Sequence, residues 1–154
     1  MQTILRAGLA YADSYTLAGC AAAAHCGVFS RVPARCTDSG NARCPGGASA
    51  HGNADPTLCD GAPVYQKGGA GGGGPVLLRY WDGSSGTRWW VADDADYALA
   101  RCSYSGYYLR SDSNPQPLGS APTAPAYSAG GWSEQLQHNS NGNRPIRVTA
   151  GGGR

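Results

Sequence analysis

Cys59–Asp93 reads CDGAPVYQKGGAGGGGPVLLRYWDGSSGTRWWVAD. Three phrases within it, PVYQK (63–67), VLLRYW (76–81) and RWWVAD (88–93), are short and rich in aromatic and β-branched residues. Such runs, bounded by glycine, suit a pleated and half-buried surface. The glycine run 68–74 and the loop DGSSGT (82–87) separate them. The second pair of phrases with its Gly-containing loop has the form of a β-hairpin with a longer connection. No apolar period of helical length runs through the stretch. This is therefore the signature of an all-β module whose core is made of tyrosine and tryptophan.

Composition supports that reading. The 154 residues suffice for one domain, and 24 Gly and 10 Pro disfavour long helices. One Phe and one Met stand against nine Tyr and four Trp. Each large aromatic buries roughly 150–250 Å², so a few of them can build a small core. Twelve Lys plus Arg against ten Asp plus Glu leave a net charge of +2. That gives no electrostatic case for nucleic acid or an anionic membrane. The chain contains no apolar run long enough to span a bilayer.

Six cysteines, Cys20, Cys26, Cys36, Cys44, Cys59 and Cys102, occur in this loop-rich chain. An even number in such a setting reads as a disulfide framework, with about 15 possible pairings. A bridge closing a loop of ~15 residues contributes about 3 kcal/mol in the chain-entropy model. Disulfides imply secretion or a lumenal space, and the expected location is extracellular or surface-associated. His25 next to Cys26, with Cys20 nearby, superficially suggests zinc, but the paired second knuckle of a zinc site is missing. Residues 1–14 read as a leader or linker, too short and polar for a good signal peptide.

Outward from the central run, GVFSRV (27–32), YYLRS (107–111), Trp132–Leu136 and Ile146–Thr149 are further strand candidates. Asp94–Cys102 has an acidic start and a basic end, which suits one short helical turn. Residues 36–56 look like an inserted loop that Cys36 and Cys44 could close on itself. Residues 112–131 form a Pro/Gly/Ser connection and 151–154 a tail or linker. The expected architecture is a single module over 15–150. It is an antiparallel sheet or sandwich of about six or seven short strands, loop-rich and stapled by disulfides.

Alternation along the strands suggests one candidate binding face. If the strands are neighbours, Arg79, Trp81, Arg88, Trp90, Tyr108 and Arg110 gather opposite the core as an arginine–aromatic ladder. One reading of this face is structural, with arginines lying over aromatic rings and shielding the sheet; the other is a binding face for glycan or protein. Asp93, Asp94 and Asp96 are weak calcium candidates whose spacing does not fit an EF-hand loop. No residues form a catalytic constellation. There is no G-x-S-x-G elbow, and Glu134 is the only glutamate. The glycine run lacks the Lys-Ser/Thr of a phosphate loop. No cofactor is expected.

The phrases YTLAGC (15–20), CGVFSRV (26–32), CDGAPVYQKGG (59–69), GPVLLRYWDG (74–83), TRWWVAD (87–93), YYLRS (107–111), GGW (130–132) and PIRVTAGGG (145–153) occur in that order. In order and spacing they resemble a small cysteine-containing repeat module found in tandem arrays in large extracellular proteins of algae and other protists. The resemblance implies adhesion, matrix or surface architecture, with copies of the same module or other proteins as partners. It also implies that Cys20, Cys26, Cys59 and Cys102 are the regular cysteines and that Cys36 and Cys44 are a local addition. The expected function is thus a non-catalytic structural or adhesion module, without membrane insertion. One alternative is a carbohydrate-binding module using the Arg/aromatic face. Another is an accessory subunit filling a crevice in a large complex.

Overall fold

A computed structural model describes residues 11–33, 58–59, 62–81, 87–111, 132–136, 139–144 and 146–151. Among the described residues there are ten strands: β1 (Ser14–Ala18), β2 (Gly27–Val32), β3 (Leu58–Cys59), β4 (Ala62–Lys67), β5 (Val76–Trp81), β6 (Thr87–Ala92), β7 (Tyr107–Arg110), β8 (Trp132–Leu136), β9 (Asn139–Arg144) and β10 (Arg147–Gly151). All their pairings are antiparallel. The all-β expectation holds, and the strand number exceeds the six or seven expected. The additional strands include β3, two residues long, and β9, whose sequence NSNGNR is wholly polar. Backbone pairing needs no apolar signal, so such strands escape a search by composition.

The sheet order is β10-β1-β2-β4-β5-β6-β7-β8-β9, with β3 paired to β4 off this path. Six interstrand steps separate β1 from β8. At about 4.8 Å per step, a flat sheet would hold them roughly 29 Å apart. Yet the backbone N–H of Ala21, just after β1, lies 2.7 Å from the Glu134 carboxylate on β8. The sheet is therefore rolled, as a twisted sheet of many strands is prone to be.

Rolling gives the sheet two packed faces. Tyr15, Leu17, Phe29, Tyr65, Leu77, Trp89, Val91, Leu109, Trp132 and Ile146 fill one buried cluster. It draws on most of the strands around the roll, so it is the interior. Val32, Cys59, Val64, Val76, Leu78, Trp90, Ala92, Ala98, Leu99 and Cys102 form a second cluster on the opposite face. The helix α1 (Ala95–Arg101) covers that face with Ala98 and Leu99. Strand β5 lies between the clusters, which explains why Val76, Leu77, Leu78 and Arg79 are buried in succession. A strand buried on both faces reads as a continuous apolar run rather than an alternating one.

Helix α1 is longer than the single turn expected. The Asp94 carboxylate accepts from the backbone N–H of Tyr97 at 3.1 Å, forming an N-cap. Cys102 ends the helix in the left-handed conformation (φ 51°), and Arg101 lies 5.0 Å over the Tyr97 ring. The glycine run between β4 and β5 is a backbone requirement. Gly69 has φ 78° and donates to the Gln66 carbonyl at 3.0 Å. A Cβ at Gly74 would sit 2.5 Å from the Lys67 carbonyl oxygen. Buried Gln66 donates its side-chain amide to the Gly74 carbonyl and fixes this approach.

Candidate functional site

The register decides the fate of the Arg/aromatic face. In the β5–β6 hairpin Leu78 pairs with Trp90 and Arg79 with Trp89. Directly paired residues share a face. Arg79 therefore joins Trp89, Leu77 and Val91 on the interior side, while Trp90 lies opposite among Val76, Leu78 and Ala92. The two strands are out of phase by one residue relative to the arrangement that would align Arg79 with Trp90. A one-residue change of phase moves every side chain to the other face. Arg79 and Trp90 are also buried, at 4% and 2% exposure. The side chains of Trp81 and Arg88 lie outside the described residues; their backbones pair with Thr87 and Tyr80.

Trp90 is instead the centre of an aromatic cluster. Its ring stacks on Tyr104 at 4.2 Å, and Tyr80 and Tyr107 meet it edge-on at 6.3 and 5.0 Å. Arg110, paired in register with Trp90, places its guanidinium 5.9 Å from that ring. Among the described side chains of the expected ladder, Trp90 and Arg110 come together, and they cover the second core.

Tyr108 is diverted elsewhere. Val91 pairs with Leu109 and Ala92 with Tyr107, so Tyr108 is the extra residue of a β-bulge. The bulge turns Tyr108 away from Arg110 and toward the first cluster. There its ring stacks on His25 with centroids 4.2 Å apart and planes 13° from parallel.

His25 is held by Glu134. The imidazole Nδ1 lies 2.7 Å from Glu134 Oε2, and Glu134 is fully buried. Ala22 N–H donates to Oε2 at 3.0 Å and Ala21 N–H to Oε1 at 2.7 Å. Burial alone would raise the Glu134 pKa. The N–H groups of Ala22 and Ala21, followed by His25, outweigh it and hold the carboxyl below its ordinary value. An ionised carboxylate only accepts hydrogen bonds, so Nδ1 carries the proton and donates. Residues 21–25 belong to the short ring closed by Cys20–Cys26, whose Cα atoms are 5.8 Å apart. A 3-10 turn, Ala23–His25, lies inside that ring, and Lys67 Nζ donates to the Ala24 carbonyl at 3.0 Å.

Sequence reading weighed Glu134 only for paired-carboxylate chemistry and missed this role. The signal was available: in WSEQL the alternation puts the sole glutamate on the same face as Trp132. A charge at a core-facing position demands a buried partner.

His25, Tyr107, Tyr108, Asp93 and Gln135 border a cleft of about 510 Å³. A second hollow of about 610 Å³ shares Asp93 and Tyr108 and is bordered by Asp94, Asp96 and Ser105. The calcium candidates thus line one groove, with Asp94 also capping α1. Among the described residues, no group of three or more His, Cys, Asp or Glu side chains has metal-binding geometry.

The interior carries its own tyrosine cluster. Tyr65 packs on Tyr15 at 5.1 Å and donates its hydroxyl to the Ala12 carbonyl at 2.9 Å. Burial raises the Tyr65 phenol, and pushes Tyr11 up to about 12. Arg79 acts in the opposite direction on Tyr11. These groups stay neutral and structural.

Cys59 and Cys102 form a second disulfide among the described residues, with Cα atoms 5.3 Å apart and both residues fully buried. Cys36 and Cys44 lie outside the described residues. Comparison with protein-family models, curated proteins and solved structures found no match to the chain.

Proposed function

We propose that the chain is a non-catalytic structural or adhesion module of an extracellular or surface-associated assembly. The observation that carries this is the pair of disulfides, Cys20–Cys26 and Cys59–Cys102, built into a rolled sheet that is packed on both faces. Disulfides of this kind belong in oxidising compartments. The resemblance to a repeat module of large extracellular proteins supports the same setting. Among the described residues, no helix is long and apolar enough to cross a membrane. The experiment is to isolate the endogenous protein under thiol-blocking conditions and map its cysteines by mass spectrometry, together with cell fractionation. The expected result is a protein at the surface or in the matrix, with both bridges formed and other proteins attached. Reduced cysteines in a cytosolic fraction would overturn the proposal.

A carbohydrate-binding role is the second reading, now moved from the Arg/aromatic face to the groove. Tyr108 offers an aromatic surface there, and Asp93, Asp96 and Gln135 offer hydrogen-bonding groups. A glycan array with wild type and Tyr108→Ala tests it. Specific binding lost in the variant would support this reading, and no binding by either protein would remove it.

A further inference from the structure

We propose that Cys20–Cys26 is a reducible disulfide that works as a redox-controlled clasp, releasing Glu134 and His25 and opening the roll between β1 and β8 when a dithiol reduces it. The two bridges differ in access. Cys59 and Cys102 are fully buried, whereas Cys20 is half-buried and Cys26 is 8% exposed. Exposed disulfides are the labile ones, because exchange requires a thiolate to approach a sulfur.

The chemistry balances. A thiolate of the dithiol attacks Sγ of Cys20, the more exposed residue of the pair, and Cys26 leaves as a thiolate that takes up a proton. The second thiol of the reductant then attacks its own sulfur in the mixed disulfide and frees Cys20. Two electrons and two protons pass to the cysteine pair, and the dithiol becomes a disulfide.

The bridge matters to the rest of the molecule because of what its ring holds. The ring presents three donors to one carboxylate: Ala21 N–H, Ala22 N–H and His25 Nδ1. These contacts join β8 to the β1–β2 connection across six interstrand steps, beside the core packing that Trp132 shares with Tyr15 and Leu17. Closing the ring pre-organises the donors, and opening it restores their conformational freedom. His25 also carries the stacked Tyr108, so the same event loosens one wall of the cleft. Linkage requires the reverse effect. If the bridge favours the Glu134 contacts, those contacts favour the bridge by the same factor.

The test is graded reduction of the folded, oxidised chain with dithiothreitol, followed by alkylation, peptide mapping and amide hydrogen exchange. Cys20 and Cys26 should be alkylated at least ~10-fold faster than Cys59 and Cys102. Exchange at Ala21, Ala22 and the β8 amides should rise in step with that first reduction. In Glu134→Gln, the equilibrium for reducing Cys20–Cys26 should shift about 5-fold or more toward the thiols, the lower end of ordinary coupling. If that variant fails to fold, the exchange measurement on the wild-type chain still decides. Equal reduction of both bridges, or selective reduction with no change in exchange at Ala21, Ala22 and β8, would overturn the proposal. So would an unchanged reduction equilibrium in folded Glu134→Gln.

Discussion

Glu134 shows how one residue can decide the closure of a sheet. A buried carboxylate is stable only when its lone pairs are satisfied, and three donors from a single ring contribute to this. Because its folded pKa is lowered, the unfolded chain binds a proton at higher pH than the folded one. The stabilisation is therefore present above the ordinary value of 4.5 and is lost as pH falls through the lowered one. Glu134→Gln should cost about 2 kcal/mol at neutral pH, the scale of hydrogen bonds to a charged group. Urea unfolding at neutral pH and at successively lower pH checks this. The gap between wild type and variant should shrink with acid, and a gap that stays constant would contradict the charge-based account. Trp90 decides a second question. It is enclosed by Tyr80, Tyr104 and Tyr107 rather than presented to a ligand. Trp90→Ala should destabilise by about 3–5 kcal/mol, as for other buried aromatics. A variant of unchanged stability would instead mark Trp90 as a surface residue.

Elements differ in how plainly they were written in the sequence. GVFSRV, VLLRYW and WSEQL fall at β2, β5 and β8 with the bounds that their composition implies. Their apolar residues create local signals strong enough to place a strand. Strand β9 has none, since its six residues are held by pairing to β8. The phase between β5 and β6 was equally hidden. It depends on the geometry of the intervening connection, and either phase leaves each strand alternating. The bulge at Tyr108 depends on how β7 meets β6, and this too has no local mark. Hence the strands of the candidate face were legible while its membership was not. Helix α1 carried its own punctuation, with Asp94 at the start and Arg101 at the end. Asp94→Ala removes the cap to Tyr97 and should cost about 1 kcal/mol. Thermal unfolding with Asp94→Asn as a control tests this, because asparagine retains the capping oxygen. If alanine and asparagine are equally destabilised, capping is not the cause.

At the scale of the whole molecule, two clusters share one sheet, so neither face is free to be simply polar. The interior is closed from the side by the Glu134 contacts, and the outer cluster is closed from above by α1. Cys59–Cys102 ties that cover down, joining β3 to the end of α1 across 43 residues of sequence. The local ring of Cys20–Cys26 spans only 6 residues. In the chain-entropy model the long loop is worth about 4 kcal/mol and the short one about 2 kcal/mol. The double variant Cys59→Ser, Cys102→Ser should therefore lose more stability than Cys20→Ser, Cys26→Ser, by about 2 kcal/mol, before any cost of burying the new hydroxyls. Those hydroxyls sit in a fully buried site and add to the loss at 59 and 102. Urea titrations of both variants, with the slope compared as well as the midpoint, distinguish loss of stability from a more expanded unfolded chain. Reversed order of the two midpoints at equal slopes would mean that the short clasp, and not the long tie, carries the larger share of the fold.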